Sequence, residues 1–274
     1  MPQLIIGFFF AIIIAFLAYR ARSLSRSGVW GALLVGTIIF GLGGWQWAVI
    51  LLAFFVSSSV LTRLFGRRKE TLNEKFEKGG QRDIAQVLAN GAIASLFAGL
   101  HFFFPAASWP WQAFAASMAA VNADTWATEL GVLNPFPPRL ITNGKSVECG
   151  TSGAISLFGT LSALGGAILI AILATVLDPL GHASPSDPSQ GRFTYHLLLI
   201  TLAGLGGAMF DSLLGATVQA IYRCPQCDKE TERHPLHTCG AATMQIRGWK
   251  WLNNDLVNLA CSIVGALVTL ILVG

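Results

Sequence analysis

The chain has 274 residues, of which 53% are hydrophobic and only 12% are charged, and its formal net charge is +4. Soluble domains average about 25% charged residues, so this composition excludes an ordinary soluble domain. No basic face with interleaved aromatic residues is present, which argues against nucleic-acid binding, whereas apolar runs of the roughly 17–25 residues that a bilayer requires recur throughout and predict an integral membrane protein.

These runs predict an all-α fold, a polytopic bundle of about eight transmembrane helices. The first run, MPQLIIGFFFAIIIAFLAYRARS, carries its positive charge after the apolar segment and has no small-residue cleavage site, so it is interpreted as a retained span. The second and third spans are separated only by residues 41–44, which predict a tight hairpin or a break in one helix. The spans are predicted at 3–19, 28–43, 45–63, 83–104, 110–131, 152–177, 193–222 and 251–273.

The basic residues predict how these helices are oriented. Seventeen of the 18 Lys and Arg residues fall in the first, third, fifth and seventh loops, and only Arg192 lies in another loop. By the positive-inside rule these alternate loops face the cytoplasm and both termini lie outside, in the plasma membrane of a prokaryote. Residues 1–274 are predicted to form a single membrane domain, with the 223–248 loop inserted between the last two spans.

Carboxylates interrupt two of the apolar spans. VNADTWATELG, residues 121–131, places Asp124 and Glu129 near the end of the fifth span, where simple solvation at the interface is the alternative to a polar site. FDSLLGATVQA places Asp211 well inside the seventh span, in line with Gly215 and Gln219 at helical spacing. A charged residue at membrane depth costs a few kcal/mol or more and normally faces a polar cavity, so these carboxylates predict a bound cation or ligand.

Three polar segments at predicted loops suit anions. KGGQRDIAQVLANG, residues 78–91, has a glycine pair and Arg82 at a helix start; a positive-inside anchor explains Arg82 but not Gln86 or Asn90. PRLITNGKSVECGTSGAISLFGT, residues 138–160, combines basic residues with a Gly/Ser/Thr turn that opens a helix, although no Walker A pattern is present. WLNNDLVNLACS has more Asn and Asp than helix capping requires.

Phosphoryl or nucleotidyl transfer needs acidic residues that hold Mg²⁺ together with basic, glycine-rich loops that hold phosphates. At a membrane interface such a site would act on a lipid head group. The candidates for catalysis are Asp124, Asp211, Glu129 and Lys145, with Asp124, Asp211 and Asp255 as ligands of Mg²⁺. The candidates for nucleotide or phosphate binding are Arg82, Asn90, Asn122, Arg139, Thr142, Gly150, Thr151, Ser152, Gly153, Ser212, Gln219, Asn254 and Asn258.

A second site is predicted in the loop CPQCDKETERHPLHTCG. Cys224 and Cys227 are two residues apart, and His237 and Cys239 follow closely, which is ligand spacing for a tetrahedral Cys₃His zinc site. His234 is the alternative fourth ligand. No open coordination position is implied, so this zinc is predicted to be structural. Cys261, which lies in the last span, is interpreted as a buried apolar residue.

Six segments, in chain order, resemble a widespread integral membrane family that includes plant phytyl-phosphate kinases and animal transmembrane protein 19. They are KGGQRDIAQVLANG, NADTWATELG, PRLITNGKSVECGTSGAISLFGT, FDSLLGATVQA, YRCPQC…HTCG and WLNNDLVN. The family is also distantly similar to CTP-using enzymes such as dolichol kinase and CDP-archaeol synthase. This chain departs from the family pattern at SVECG, where relatives are proline-rich, so Glu148 and Cys149 are left without a role.

The resemblance implies CTP-dependent phosphorylation of a prenyl monophosphate, such as phytyl or geranylgeranyl phosphate, to its diphosphate. It implies metal and nucleotide binding at Asn122, Asp124, Glu129, Asp211 and Asp255, and phosphate binding at Arg82, Arg139, Lys145 and Thr151. A cytidylyltransferase that makes a CDP-lipid, a transporter of an anionic lipid or a cation, and a purely structural role stay open as alternatives. The prenyl chain length, the nucleotide preference and the assembly into homo-oligomers also stay open.

Overall fold

A computed structural model of the chain describes residues 2–69, 80–180 and 190–273. The predicted all-α membrane bundle is confirmed, because these residues form eight helices and only small sheets. The helices are α1 (Pro2–Arg20), α2 (Arg26–Ile38), α3 (Trp45–Lys69), α4 (Ile84–Phe103), α5 (Trp109–Gly131), α6 (Leu157–Val176), α7 (Gln190–Thr217) and α8 (Asn254–Val273). Lys75 and Lys78, which belong to the predicted basic loop, lie outside the described residues.

Helix α5 is the centre of the bundle, and α3, α4, α6, α7 and α8 pack around it. Every residue from Pro110 to Ala123 is buried. Seven of the described helices are long and apolar enough to cross a membrane by composition, and α5 is the one that is not. Since protein and not lipid surrounds α5, alanine and serine take the place of leucine and isoleucine, and neighbouring helices approach closely.

The hairpin between α2 and α3 is a tight one. The end of α2 continues into a π-helical turn, Ile39–Gly43, and Gly44 then adopts a φ of 104° before α3 begins. A positive φ costs glycine little, which explains why the chain reverses here with a single residue between the helical segments. Of the two alternatives predicted from residues 41–44, the structure has the tight hairpin.

The helix ends meet in two layers, one at each end of the bundle. Gln3 bonds the carbonyl of Phe40, and Gln112 contacts His196 at 3.2 Å, at the end where α1 begins. At the other end lie the loops after α1, α5 and α7 and the described residues 80–83 before α4; we call it the knuckle end, after the Cys/His loop of residues 224–239. There Leu24 pairs with Arg82 in a short parallel bridge.

The strands lie at the knuckle end. β1 (Arg139–Leu140) pairs with β2 (Ala154–Ile155), and β3 (Ile221–Cys224) lies between β4 (Lys229–Thr231) and β5 (Met244–Arg247) in an antiparallel sheet. The sheet replaces the end of the seventh predicted span, because α7 stops at Thr217 and not at residue 222. Helix α6 likewise begins at Leu157 and not at residue 152, and residues 149–153 form a loop that leads into β2 in front of it.

Candidate functional site

A polar cavity of about 300 Å³ opens at the knuckle end between α4, α5, α6, α7 and α8. Asp211 lies about 9 Å along the helix axis from the last residue of α7, so the cavity reaches about two helical turns into the bundle. Most of the residues predicted to bind metal or phosphate line it: Arg82, Asn90, Asp124, Glu129, Gly150, Thr151, Ser152, Gly153, Asp211, Ser212, Gln219, Asn254 and Asn258.

Three carboxylates face one another in this cavity. Asp124 of α5 and Glu232, which follows β4, are the charged groups that act on Asp211 of α7. One oxygen of Asp211, Oδ2, is buried and has no hydrogen-bond partner among the described residues. Carboxylates that share a cavity repel one another unless a cation lies between them, and hard oxygen ligands of this kind suit Mg²⁺. The donor set therefore fits the predicted divalent metal.

Glu129 lies on the same helix as Asp124, about one turn nearer to the loop. It is only 8% exposed, and Thr62 of α3 donates a hydrogen bond of 2.9 Å to its Oε1 atom. The threonine fixes the orientation of the carboxylate, which faces the cavity and acts electrostatically on Arg82.

Arg82 supplies the buried positive charge of the cavity. Its backbone is held between the α1–α2 loop and α4, since Ser25 donates to its carbonyl at 2.9 Å and its own N–H donates to Ser23 at 3.0 Å. Its guanidinium lies over the rings of Phe54 and Phe55, 5.2 and 5.4 Å from their centroids, and its Nη1 atom is buried with no partner among the described residues.

Burial lowers the pKa of Arg82 to about 10, and the neighbouring Glu129 partly offsets this shift. The group therefore keeps its charge at neutral pH. A buried, charged guanidinium with an unused donor is the arrangement that binds a phosphate with charge-assisted hydrogen bonds.

The start of α4 explains part of the sequence pattern beside Arg82. Asp83 accepts a 2.9 Å hydrogen bond from the N–H of Gln86, and the Gln86 side chain accepts one of 3.1 Å from the N–H of Asp83. This is a capping box, which fixes the first turn of α4. Gln86 therefore has a structural role at the start of α4, and both Gln86 and Asn90, one turn further, line the cavity.

A chain of hydrogen bonds joins the cavity wall to the sheet. Ser152, in the loop before α6, donates to Gln219 Oε1 at 2.7 Å, and Gln219 Nε2 donates to Glu232 Oε1 at 2.9 Å. Gln219 is 1% exposed and lies beyond the end of α7, so it reaches the cavity from a turn and not from the helical stripe that its spacing predicts. Gly153 has a φ of 79°, and a side chain there would overlap Ala216.

Five predicted residues lie outside the cavity wall. Asn122 is fully buried and ties helices together, because its amide donates to Gly166 at 2.8 Å and accepts from Ser57 at 3.2 Å. Asp255 is buried in the first turn of α8. The other three are exposed and lie on or beside β1: Arg139, Thr142 and Lys145.

A wider cleft of about 810 Å³ adjoins the cavity between the 139–152 loop and the sheet. Residues 149–152 and Glu232 line both spaces, so a ligand can extend from one into the other. Glu148 lines the cleft, and Cys149 lies on the wall that the two spaces share.

The four predicted zinc ligands lie together at the tip of the sheet. The ligand atoms of Cys224, Cys227, His237 and Cys239 all lie within 4.8 Å of one another, so the cluster could hold a metal ion. The alternative ligand, His234, stacks instead on Tyr222, with ring centroids 4.4 Å apart. We call this cluster and the sheet β3–β5 the knuckle.

Two residues anchor the knuckle to the bundle. The Arg247 guanidinium donates to the last carbonyls of α7, to Ala216 at 2.7 Å and to Gly215 at 3.0 Å, which caps the negative end of the helix dipole. Gly248 follows with a φ of 80°, and a side chain there would overlap the carbonyl of Gln219. The knuckle is thereby fixed against Gln219, which donates a hydrogen bond to Glu232.

Sequence patterns missed two residues of this site. Glu232 stands in a polar loop where an acidic residue is unremarkable, and only the folding of the β3–β4 hairpin brings it to Asp211. Thr62 lies in an apolar span, and its role depends on the packing of α3 against α5. The sequence contains no local signal for either contact.

The chain is similar to known proteins over nearly its whole length. The family model described as "Integral membrane protein DUF92" matches residues 9–266. Protein PGR of Arabidopsis thaliana is 31% identical over 282 residues, which cover 97% of this chain and 95% of the relative. An uncharacterized membrane protein of Methanocaldococcus jannaschii is 30% identical over 266 residues, which cover 97% of this chain and 92% of the relative.

A further relative is the protein named "Protein VTE6, chloroplastic", also from Arabidopsis thaliana. It is 28% identical over 253 residues, which cover 91% of this chain and 65% of the relative. No solved structure matches the chain.

Proposed function

This chain belongs to the DUF92 family of integral membrane proteins, and from that premise and the polar cavity we propose that it is a CTP-dependent kinase of a prenyl monophosphate. The observation that carries the proposal is the convergence of Asp124, Asp211 and Glu232 with the buried Arg82 in one cavity. The resemblance to a family that includes plant phytyl-phosphate kinases supplies the substrate class. The knuckle end faces the cytoplasm in this proposal.

The carboxylates Asp124 and Asp211 hold Mg²⁺, and Glu232 is a third acidic neighbour. The buried Oδ2 atom of Asp211, to which no described residue donates a hydrogen bond, supports this assignment. A Mg²⁺ ion held there would supply positive charge that neutralises the phosphate oxygens. Asp255, which lies outside the cavity wall, takes no part in this arrangement.

Arg82 binds the phosphate of the lipid acceptor and holds it beside the carboxylates. A phosphate monoester is largely ionised at neutral pH, because its second pKa is about 6, so the acceptor needs no general base. An acceptor oxygen attacks the γ-phosphorus of CTP, the bond to the β–γ bridging oxygen breaks, and CDP leaves with that electron pair. The residues therefore act by positioning and charge neutralisation.

The nucleotide enters through the wide cleft beside the knuckle. Its triphosphate lies along the 149–153 loop, where Thr151 and Ser152 line both the cleft and the cavity. Lys145 and Arg139 are exposed on the loop that borders this cleft, and the proposed mechanism gives them no step. Zinc in the knuckle is structural and keeps Glu232 against Gln219.

Transport is the alternative from another functional class, and the packing at the opposite end speaks against it. Trp47, Trp111 and Phe114 are each at most 2% exposed and fill the bundle there, with the rings of Trp47 and Phe114 4.5 Å apart. The polar cavity thus lies at the knuckle end, whereas aromatic side chains fill the bundle at the other end.

Product analysis with two labelled forms of CTP tests the proposal. Purified protein in detergent with Mg²⁺ and geranylgeranyl monophosphate should transfer label from γ-labelled CTP to a lipid diphosphate, and none from α-labelled CTP. Label from α-labelled CTP in a CDP-lipid would instead identify a cytidylyltransferase. Lipid or cation flux into liposomes without nucleotide would overturn the kinase assignment in favour of transport.

A further inference from the structure

An apolar groove runs between α1, α2, α3 and α4 and ends at the polar cavity. It has a volume of about 90 Å³, and among the described residues the polar side chains that line it are Arg82 and Asn90. Both also line the polar cavity. The groove and the cavity are therefore continuous at these two residues, and we call this space the α1–α4 groove.

Small residues of α1 line one side of the groove. Gly7, Ala11, Ala15 and Ala18 follow one another at spacings of four, four and three residues, so they lie on one face of the helix. From Gly7 to Ala18 this face extends about 16 Å along the helix axis, roughly half of the ~30 Å hydrocarbon core of a bilayer. The opposite face of α1 carries large exposed residues such as Phe9 and Phe16, which suit lipid contact.

The polar end of the groove indicates that its ligand carries an anionic group. The Nη1 atom of Arg82 is buried without a partner among the described residues, and its guanidinium lies over Phe54 and Phe55, which line the groove. A ligand that satisfies both parts has an anionic head at Arg82 and an unbranched or prenyl hydrocarbon tail that follows α1.

We propose that the α1–α4 groove binds the prenyl chain of the lipid monophosphate, with its phosphate on Arg82 at the mouth of the cavity. The proposal rests on the proposed function for the identity of the ligand. The groove then discriminates between prenyl chains of different length. A longer chain reaches further from Arg82 towards Gly7 and Ala48, and its binding depends on space there.

Two alanines at different depths test this role. Ala32 lies in the second turn of α2, about 9 Å from the helix start at the knuckle end, whereas Ala48 lies in the first turn of α3 at the opposite end. Ala85→Leu is the matched control, because Ala85 is exposed on α4 and lies outside the groove. Each change adds the same side-chain volume.

Binding is measured without nucleotide, with geranyl monophosphate (ten carbons) and geranylgeranyl monophosphate (twenty carbons) on the full chain in detergent. Overpacking costs enough to weaken binding about tenfold. Ala48→Leu should weaken the longer ligand about tenfold and leave the shorter one unchanged, and Ala32→Leu should weaken both. Ala85→Leu should change neither. Equal affinities in all variants would overturn the proposal.

A second measurement on the unmodified chain does not depend on variant folding. Geranylgeranyl monophosphate with a photoreactive group at its far end should label α1 or α3 near Gly7 and Ala48. Labelling confined to lipid-facing positions of α6 or α8 would overturn the proposal, as would equal displacement of both prenyl ligands by phosphatidylglycerol, which would identify a structural lipid.

The two proposals fail separately. Chain-selective binding without phosphoryl transfer from any nucleotide would reject the kinase and retain the groove. Phosphoryl transfer with the same chain-length preference in Ala48→Leu and the unmodified chain would retain the kinase and reject the groove.

Discussion

At the scale of residues, the site combines a cluster of carboxylates with the buried guanidinium of Arg82 in one cavity. Within the part of the chain that the structure describes, Asp211 has a buried oxygen without a partner, and Arg82 has an unused donor in the same cavity. Neither arrangement favours the fold by itself, because a buried polar atom without a hydrogen bond costs about 1–3 kcal/mol. A bound metal and a bound phosphate would satisfy both groups.

Asp211→Asn separates a functional from a structural carboxylate. The change removes repulsion from Asp124 and Glu232, so the melting temperature in EDTA should equal or exceed that of the unmodified chain. Mg²⁺ should raise the melting temperature of the unmodified chain and not of the variant, because a ligand that binds only the folded state stabilises it. A variant that is destabilised in EDTA, and still stabilised by Mg²⁺, would contradict the metal assignment.

Arg82→Gln tests the phosphate assignment. The glutamine keeps much of the volume under Phe54 and Phe55 but not the charge. Loss of one preorganised group that stabilises developing charge costs about 10²–10³ in turnover. We expect a loss of this size, with weaker binding of prenyl monophosphate in an equilibrium assay. Arg63→Gln is the control, since Arg63 contacts Ser23 and Ala21 outside the cavity. Equal losses in both variants would argue for a general fold defect.

At the scale of elements, helix α5 explains what the sequence could and could not predict. The apolar runs predict eight spans, 110–131 among them, although α5 lacks a membrane-spanning composition because it is buried. Asn122 was predicted to bind a ligand, since its polarity is visible in the sequence. The structure places it in helix packing instead, and the sequence alone cannot distinguish the two roles.

Residues brought in from other elements were the hardest to predict. Glu232 reaches Asp211 only through the hairpin β3–β4 and the hydrogen bond to Gln219. Lys145 and Arg139 combine charge with a glycine-rich loop, as phosphate-binding residues do, yet Arg139 is exposed on β1 and Lys145 is exposed in the loop after it. A sequence reports residue types near a turn, whereas the direction in which the loop folds depends on its neighbours.

Two adjacent glycines on α7 test the packing around α5. A Cβ at Gly207 would lie 2.6 Å from the Cβ of Ala120 and 2.7 Å from the carbonyl of Cys261, whereas a Cβ at Gly206 would meet no atom within 4 Å. Gly207→Ala should lower the free energy of unfolding by about 1–3 kcal/mol. Gly206→Ala should leave it unchanged or raise it, because alanine favours a helix by up to about 1 kcal/mol. Thermal unfolding in detergent that shows equal effects would contradict the close packing.

The knuckle offers a matched pair of histidines. His237→Gln should lose the metal, because His237 belongs to the cluster, whereas His234→Gln should retain it, because His234 stacks on Tyr222. Atomic emission of the purified protein should give about one zinc per chain and none after the first change. Turnover should fall with the metal, since the knuckle holds Glu232 in the cavity. Metal loss in His234→Gln alone would identify the other histidine as the ligand.

At the scale of the whole molecule, the two ends of the bundle differ. Aromatic side chains close one end, with the rings of Trp47 and Trp111 5.1 Å apart, and the knuckle end holds the cavity, the cleft and the mouth of the groove. An apolar substrate tail in the membrane and a polar co-substrate from water therefore meet at one place. This arrangement suits a transfer reaction on a lipid head group.

The most direct test of the central claim is transfer of the γ-phosphate of CTP to geranylgeranyl monophosphate by the purified chain, compared with Asp211→Asn. Asp178→Asn is the matched control, because Asp178 follows α6 at the opposite end, where its side chain bonds the N–H of Leu180. The account predicts a labelled lipid diphosphate from the unmodified chain and Asp178→Asn, and about 10²-fold less or none from Asp211→Asn. Equal product from all three proteins, or none from the unmodified chain with any nucleotide, would contradict it.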